Sequence, residues 1–268
     1  MKDVTVVSSL YNINRENLDG RKWEEYLEWF AKTLQVKAPM VVFVEEDMVD
    51  FVKDARGDRP TEVIPMPLEE IPYYHLKDEM DSVMNLKEYT NKVSDSKRIE
   101  CKSSLYNIIQ YSKFKWAEIA VEKNFFDSDY YLWMDAGLSR FFYDMDMDKN
   151  YPGENAKTQL ELVDDKVLIQ VFESFYPDLF NAKTLSEDYL LDNRSFVMGG
   201  MFGVGAAKIK ELCSKVDEVL QLMLSKNIVN NEQIALGYLY KKYPDMFVEF
   251  INDARIHRSY ELIVELSE

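Results

Sequence analysis

Asp135 ends an apolar run, YLWMD at 131–135, and is followed at once by Ala136 and Gly137. A carboxylate at the end of a buried stretch needs a partner, because burying a charge alone is costly. A cap on the following turn is one partner; a bound cation is another. Five further groups of residues have types suited to chemistry. Ser8, Ser9, Tyr11, Asn12 and Arg15 follow the first apolar run, and Glu45, Glu46 and Asp47 follow the second. Lys113 and Lys115 lie in YSKFKW, where a cation near a strand end could hold a diphosphate. Gly199 and Gly200 remove two adjacent side chains, as backbone must do where a ligand or another strand comes close. Glu232, with Gln233, opens a helix after Asn230 and Asn231. Helix capping explains that placement as well as a functional acid does.

The elements that must position these residues alternate in type. VTVVSSL at 4–10 is a β-branched run bounded by polar residues, hence a buried strand. Trp23, Tyr26, Leu27, Phe30 and Leu34 recur at helical spacing. PMVVFVEED at 39–47 is the second strand, residues 48–55 a short helix, and TEVIPM at 61–66 the third strand. This alternation predicts a mostly parallel sheet with right-handed crossovers, flanked by helices. Residues 67–100 read as irregular and partly helical, and 104–124 as one long helix leading into the strand that Asp135 ends. Residues 144–165, acidic and containing Pro152 and Gly153, read as a long loop. Strands are expected at 166–172 and near 246–252. The segment from Arg194 reads as a strand, a glycine-rich turn and a helix; another helix, from 230, is stopped by Pro244. In an open α/β sheet, ligands bind outside the carboxyl ends of the strands. That rule nominates the residues after the first, second and fourth strands.

Composition narrows the function. The 268 residues carry a formal charge of −16, which repels polyanions and makes bulk nucleic acid an improbable ligand. Cys101 and Cys213 are far apart with no CxxC spacing, as in a reduced, cytoplasmic protein. Two histidines, His75 and His257, exclude a multi-histidine metal cage. No run of 18 apolar residues predicts a transmembrane helix. The glycines of MGGMFGVGAAK are not in GxGxxG order and lie far from the first strand, which sets aside a dinucleotide fingerprint. A P-loop and a GxSxG elbow are both absent, setting aside P-loop NTPases and α/β hydrolases. The clustered aromatics Tyr73, Tyr74, Phe141, Phe142 and Tyr143 fit a sugar pocket, a dimer surface or, more simply, the core.

The order of segments resembles a known family. VVSSLYNINREN, YLEWFAKTLQVKAPMVVFVEED and RGDRPTEVIPM come first. YNIIQYSKFKWAEIAVEKNFFDSDYYLWMDAGLSRF, MGGMFGVGAAKIKEL and NNEQIALGYLYKKYPDMF follow. This series, from about residue 4 to 250, is similar to the HtrL/YibB-like proteins, which look like GT-A fold glycosyltransferases. The resemblance implies one GT-A-like domain over residues 1–268, with a nucleotide-binding part to about 140 and an acceptor part beyond. It implies a nucleotide-diphosphate sugar donor and an acceptor hydroxyl, on a glycan, a lipid-linked saccharide or a modified nucleic-acid base.

The family comparison also implies roles for single residues. GT-A enzymes use Asp-x-Asp to bind a divalent cation, Mn2+ or Mg2+, that grips the diphosphate; here the matching place is Asp135-Ala136-Gly137, without the second acid. One carboxylate, diphosphate oxygens and water can still hold such a cation. His257 falls where a late metal or phosphate ligand would come, and Arg255 and Arg258 are the metal-free substitutes. Glu232 matches a catalytic base, and Gly137, Gly199 and Gly200 would open room for donor and acceptor. Ser8, Tyr11, Arg15 and Lys113 would contact the donor. The missing second acid motivates the alternative of a non-catalytic nucleotide- or sugar-binding protein.

Overall fold

The computed structural model describes residues 4–142 and 165–251, together with the isolated positions 146, 149, 151, 153, 160 and 262. The first half is built as its alternation dictates. Strand β1 (Val4–Leu10) pairs in parallel with β2 (Met40–Val44), and β2 with β3 (Thr61–Pro65). On its other side β1 pairs in parallel with β4 (Tyr130–Met134), Val7 standing opposite Trp133. Every residue of β1, β2 and β4 is buried, because helices cover both faces of a parallel sheet.

The period-two alternation of side chains sorts these strands between two cores. Val7, Val41, Phe43, Tyr131 and Trp133 enter one apolar cluster. Val6, Met40, Val42, Val44, Leu132 and Met134 enter the other. After a one-turn helix α1 (Glu16–Asp19), helices α2 (Trp23–Thr33) and α3 (Val49–Arg56) lie over the second, which includes Phe30, Leu34 and Val52. Two small helices, α4 (Lys77–Met84) and α5 (Lys87–Lys92), account for the partly helical reading of residues 67–100. Helix α6 (Ser104–Lys123) crosses the first cluster. The Ser103 side chain caps its start by accepting from the Tyr106 amide at 3.2 Å. Asn124, at φ 42°, ends it in the left-handed conformation. Residues as different as Asn107, Ile108, Lys113, Phe114 and Trp116 are all buried on α6. It is therefore a largely interior helix, with Glu122 and Lys123 exposed at its end.

The second half departs from the expected turn. Residues 197–205, glycines included, form one nine-residue strand, β6, antiparallel to β4 and to β5 (Val167–Val171). The glycines answer to close packing. A Cβ on Gly203 would stand 3.0 Å from Leu132 Cδ2 and 3.4 Å from Leu168 Cβ. A last strand, β7 (Phe247–Ile251), pairs in parallel with β5. The sheet order is β3-β2-β1-β4-β6-β5-β7. One mostly parallel sheet thus carries strands from both expected parts of the chain. A one-turn helix α7 (Pro177–Phe180), then α8 (Ile209–Ser225) and α9 (Glu232–Lys242), complete the described elements, the last two packing with α6. No helix among the described residues is long and apolar enough to cross a membrane. Most of the expected loop at 144–165 lies outside the described residues, as does Tyr143.

A candidate ligand site at the carboxyl edge of β1 and β4

From β1 the chain proceeds to β2 and β3 on one side, then returns to place β4 on the other. Strand order reverses there, and the crevice beyond the carboxyl ends of β1 and β4 is where such sheets bind ligands. A cavity of about 420 Å³ opens at that point. Its size suits a small organic ligand. Its walls include Ser9 from the end of β1, Tyr11 and Arg15 from the loop after it, Tyr106 and Lys113 from α6, and Trp133, Asp135 and Arg140 around the end of β4. Met198 and Gly200 come from the start of β6, because an antiparallel strand presents its beginning at this edge.

Lys113 is the centre of the floor. It lies on α6, where its neighbours are core residues, and its side chain is 1% exposed. Its ammonium donates to Asp135 Oδ1 at 3.1 Å, to the Gly199 carbonyl at 2.9 Å and to Glu232 Oε1 at 2.9 Å. Three donors meet three acceptors, which is what makes so buried a lysine tolerable. The ammonium also lies 5.7 Å from the centre of the Trp133 ring. Burial works to lower the Lys113 pKa, but Asp135 and Glu232 more than offset it and hold the ammonium above the ordinary range. Burial pushes the Glu232 carboxyl upward; Lys113 opposes this and the charge of Asp135 adds to it. One cation shared between two carboxylates leaves an excess negative charge. The more buried acid holds its proton more tightly as a result.

Asp135 is the outer member, its side chain 34% exposed. Oδ1 accepts from Lys113 and, at 2.6 Å, from Trp133 Nε1. Its backbone amide donates to the Gly200 carbonyl at 2.9 Å, extending the β4–β6 ladder by one bond. Oδ2 accepts no hydrogen bond among the described residues, so it is the free oxygen of a residue lining the cavity. Asp135 therefore has its partner within the chain, in Lys113.

The structure brings together Tyr11, Arg15, Lys113, Asp135, Gly137 and Gly200, all of which line the cavity. Tyr11 is packed flat on Trp116, ring centres 5.5 Å apart, and its hydroxyl donates to the Met66 carbonyl at 3.1 Å. Arg15 forms an ion pair with Asp19 and sits 4.8 Å from the centre of the Tyr106 ring. Gly200 leaves open space beside Asp135: a Cβ there would be 3.7 Å from Oδ2 and 3.2 Å from Leu138 Cδ1. A Cβ on Gly137 would only touch the Trp29 and Tyr26 rings, at 3.5 and 3.8 Å.

Three expected residues are placed otherwise. Ser8 is fully buried and donates to the Met134 carbonyl at 2.6 Å, so it ties β1 to β4 and touches no cavity wall. Gly199 does not open room for a ligand, since a Cβ there would fall 2.0 Å from Glu232 Oε1; the space belongs to that carboxylate. Glu232, 1% exposed, stands behind Lys113 and away from the cavity. Its carboxylate accepts from Lys113 and lines no cavity wall. The Asn231 side chain caps α9 by accepting from the Ile234 amide at 3.3 Å, so the capping account holds for Asn231 while Glu232 faces the core. Glu45, Glu46 and Asp47 form a solvated turn outside the cavity, and Lys115 pairs with Glu118 and Asp217. His257, Arg255 and Arg258 lie outside the described residues.

The divalent cation implied by the family resemblance finds little support in these groups. No cluster of three potential ligands occurs among the described residues. Asp135 offers one free oxygen, and the Lys113 ammonium on its other oxygen repels a cation. The described residues do not by themselves form a metal site.

Sequence reasoning passed over Arg21, Tyr106, Trp133 and Arg140 as wall residues. Arg140 carried a signal: it is the only charge in AGLSRFF, directly after the strand end that drew attention to Asp135.

The fold and cavity define a class: an α/β protein with a mostly parallel sheet and a cavity at its topological switch point. The chain belongs to the HtrL_YibB family, whose description, "Bacterial protein of unknown function (HtrL_YibB)", matches residues 2–256. It is similar to Protein HtrL of Escherichia coli strain K12, 19% identical over 260 residues, covering 91% of this chain and 86% of that protein.

Proposed function

We propose that this protein is a glycosyltransferase that moves a sugar from a nucleotide-diphosphate donor to an acceptor hydroxyl, on a glycan or lipid-linked saccharide. The supporting observation is the Lys113-supported Asp135 carboxylate at the floor of a 420 Å³ cavity at the switch point. Aromatic walls (Trp23, Tyr26, Tyr106 and Trp133) suit a base and sugar rings, and arginines suit a diphosphate. A modified nucleic-acid base is the less favoured acceptor, given a net charge of −16. The cytoplasm is the proposed compartment, with both cysteines free and buried.

In a direct displacement the acceptor oxygen bonds to the anomeric carbon as the bond to the diphosphate breaks. The acceptor proton passes to Asp135 Oδ2, the cavity-facing carboxylate oxygen, and the nucleoside diphosphate departs with the bonding pair. Lys113 fixes Asp135, and Trp133 Nε1 holds the same oxygen from the other side. The hypothesis makes Asp135 the catalytic residue and Glu232 a positioning residue.

A second reading is a non-catalytic nucleotide- or sugar-binding protein. Its specific support is that Glu232 is sealed behind Lys113 and that no second acid follows Asp135. Slow hydrolysis of a panel of UDP- and GDP-sugars, with and without Mn2+, separates the two. The transferase reading expects released nucleoside diphosphate that Asp135→Asn reduces at least a hundredfold without loss of donor binding. Donor binding with no turnover under any condition would favour the second reading.

A further inference from the structure

Of the four basic residues on the cavity wall, Lys113 and Arg15 are committed to carboxylates. Arg21 and Arg140 are not similarly committed. Arg140 follows Asp135 on the short 3-10 stretch Ala136–Phe141. Its guanidinium lies 5.7 Å from the centre of the Trp29 ring and 4.6 Å from that of Phe141, so two aromatic rings lie close to it. Its Nε is buried and has no hydrogen-bond partner among the described residues, which also offer Arg140 no ion pair. A buried charged donor without an acceptor is costly and calls for an explanation; an anion bound in the functional state is one. Arg21, 42% exposed, has only a long contact of 3.8 Å with Asp19. Burial lowers the Arg140 pKa, and Arg21 is the next cause, so the two guanidiniums feel each other's field. Like charges held in one cavity attract a shared anion. Arg140 and Asp135 line the same cavity, Arg140 on the short stretch that follows the β4 end.

We propose that Arg140 and Arg21 form the subsite for the donor's diphosphate, which the chain holds with guanidinium forks in place of a divalent cation. The inference rests on the transferase reading and narrows it to a metal-independent enzyme. A planar fork suits phosphate oxygens, bidentate contact suits a diphosphate, and a fixed cation stabilises the charge that develops on the leaving group. The single carboxylate after β4 is then sufficient, because no second acid is needed to hold a metal. Lys113 cannot serve in this way, its three protons being taken.

The test is calorimetric titration of the full-length protein with UDP, GDP, uridine and inorganic pyrophosphate, in EDTA and again in Mn2+. UDP or GDP is expected to bind equally in both, within about twofold, and well ahead of the nucleoside. Arg140→Gln should weaken the diphosphate at least tenfold while leaving uridine unchanged, since a charged hydrogen bond is lost and the base contacts remain. Arg21→Gln, at an exposed position that does not threaten folding, should weaken it by a smaller factor. Binding of UDP or GDP that vanishes in EDTA, with both variants equal to wild type, would overturn the arginine subsite and leave the transferase reading intact. Pyrophosphate binding that depends on Arg140, with no advantage for any nucleotide, would uphold the anion subsite and sink the nucleotide donor.

Discussion

Replacing Lys113 by Met tests whether the buried triad is as tightly coupled as its geometry implies. The change keeps an unbranched apolar stem on α6 and deletes the ammonium. Glu232, its side chain 2% exposed, then loses its cation, and the Gly199 carbonyl loses a donor. A carboxylate so enclosed takes up a proton. Protonating a group of ordinary pKa about 4.3 at pH 7 costs about 3.7 kcal/mol, at 1.36 kcal/mol per unit. That agrees with the roughly 3–5 kcal/mol measured when one partner of a buried ion pair is removed. The same arithmetic gives only about 1 kcal/mol at pH 5. The difference in unfolding free energy between wild type and Lys113→Met, from urea titration, should therefore grow from about 1 to about 4 kcal/mol between pH 5 and pH 7. At the alkaline end the sign follows from the raised Lys113 pKa: its stabilisation is complete below about 10.4, the unfolded value, and is lost as pH rises through the folded one. A gap below 1 kcal/mol at pH 7, or one unchanged by pH, would refute the buried triad.

Glu232→Gln keeps an acceptor for Lys113 and removes the excess charge. Because the folded Glu232 pKa lies above its unfolded value, ionising it costs stability as pH rises from about 4 through the folded value. The variant should lack that decline, so its stability relative to wild type improves from pH 4 to pH 7 in chemical denaturation; a parallel pair of curves would contradict the assignment. Gly200→Ala should fold with a loss under about 1 kcal/mol, since the flexible end of Leu138 can yield, while weakening nucleotide binding beside Asp135 by calorimetry. Arg56, fully buried, donates to the Leu34, Val36, Ala38 and Pro60 carbonyls and to Thr61 Oγ1. Arg56→Met leaves those acceptors unpaired and should lower stability by at least about 3 kcal/mol in urea, with no change in the cavity.

The first half of the sheet was legible because β1, β2 and β4 are short apolar runs bounded by polar residues, and alternation with helices fixes their direction. β6 was not, because four glycines in nine residues mimic a turn. The reason for them lies across the sheet, in Leu132, Leu168 and Glu232, which no local pattern reveals. Asp135 was legible as an acid at a strand end. Its partner Lys113 was singled out as a cation on a helix that reads as buried, but the contact spans 22 residues of sequence and the one to Glu232 spans 119. Ser8 shows the limit of the carboxyl-end rule: it sits late on the right strand, but side chains alternate along it, and Ser9 is the one at the cavity. Glu232 drew attention as an acid at a helix start, but helix position gives no information on which wall its carboxylate meets, and the carboxylate meets Lys113.

The carboxylate of residue 232 fills the volume that any side chain at residue 199 would claim. Evolution of these two positions therefore has a fixed order. A lineage can shorten the glutamate first and acquire a bulkier residue at 199 afterwards, but the reverse route passes through an intermediate in which two groups contest one space. Across homologous chains, glutamate at 232 should never accompany anything larger than glycine at 199.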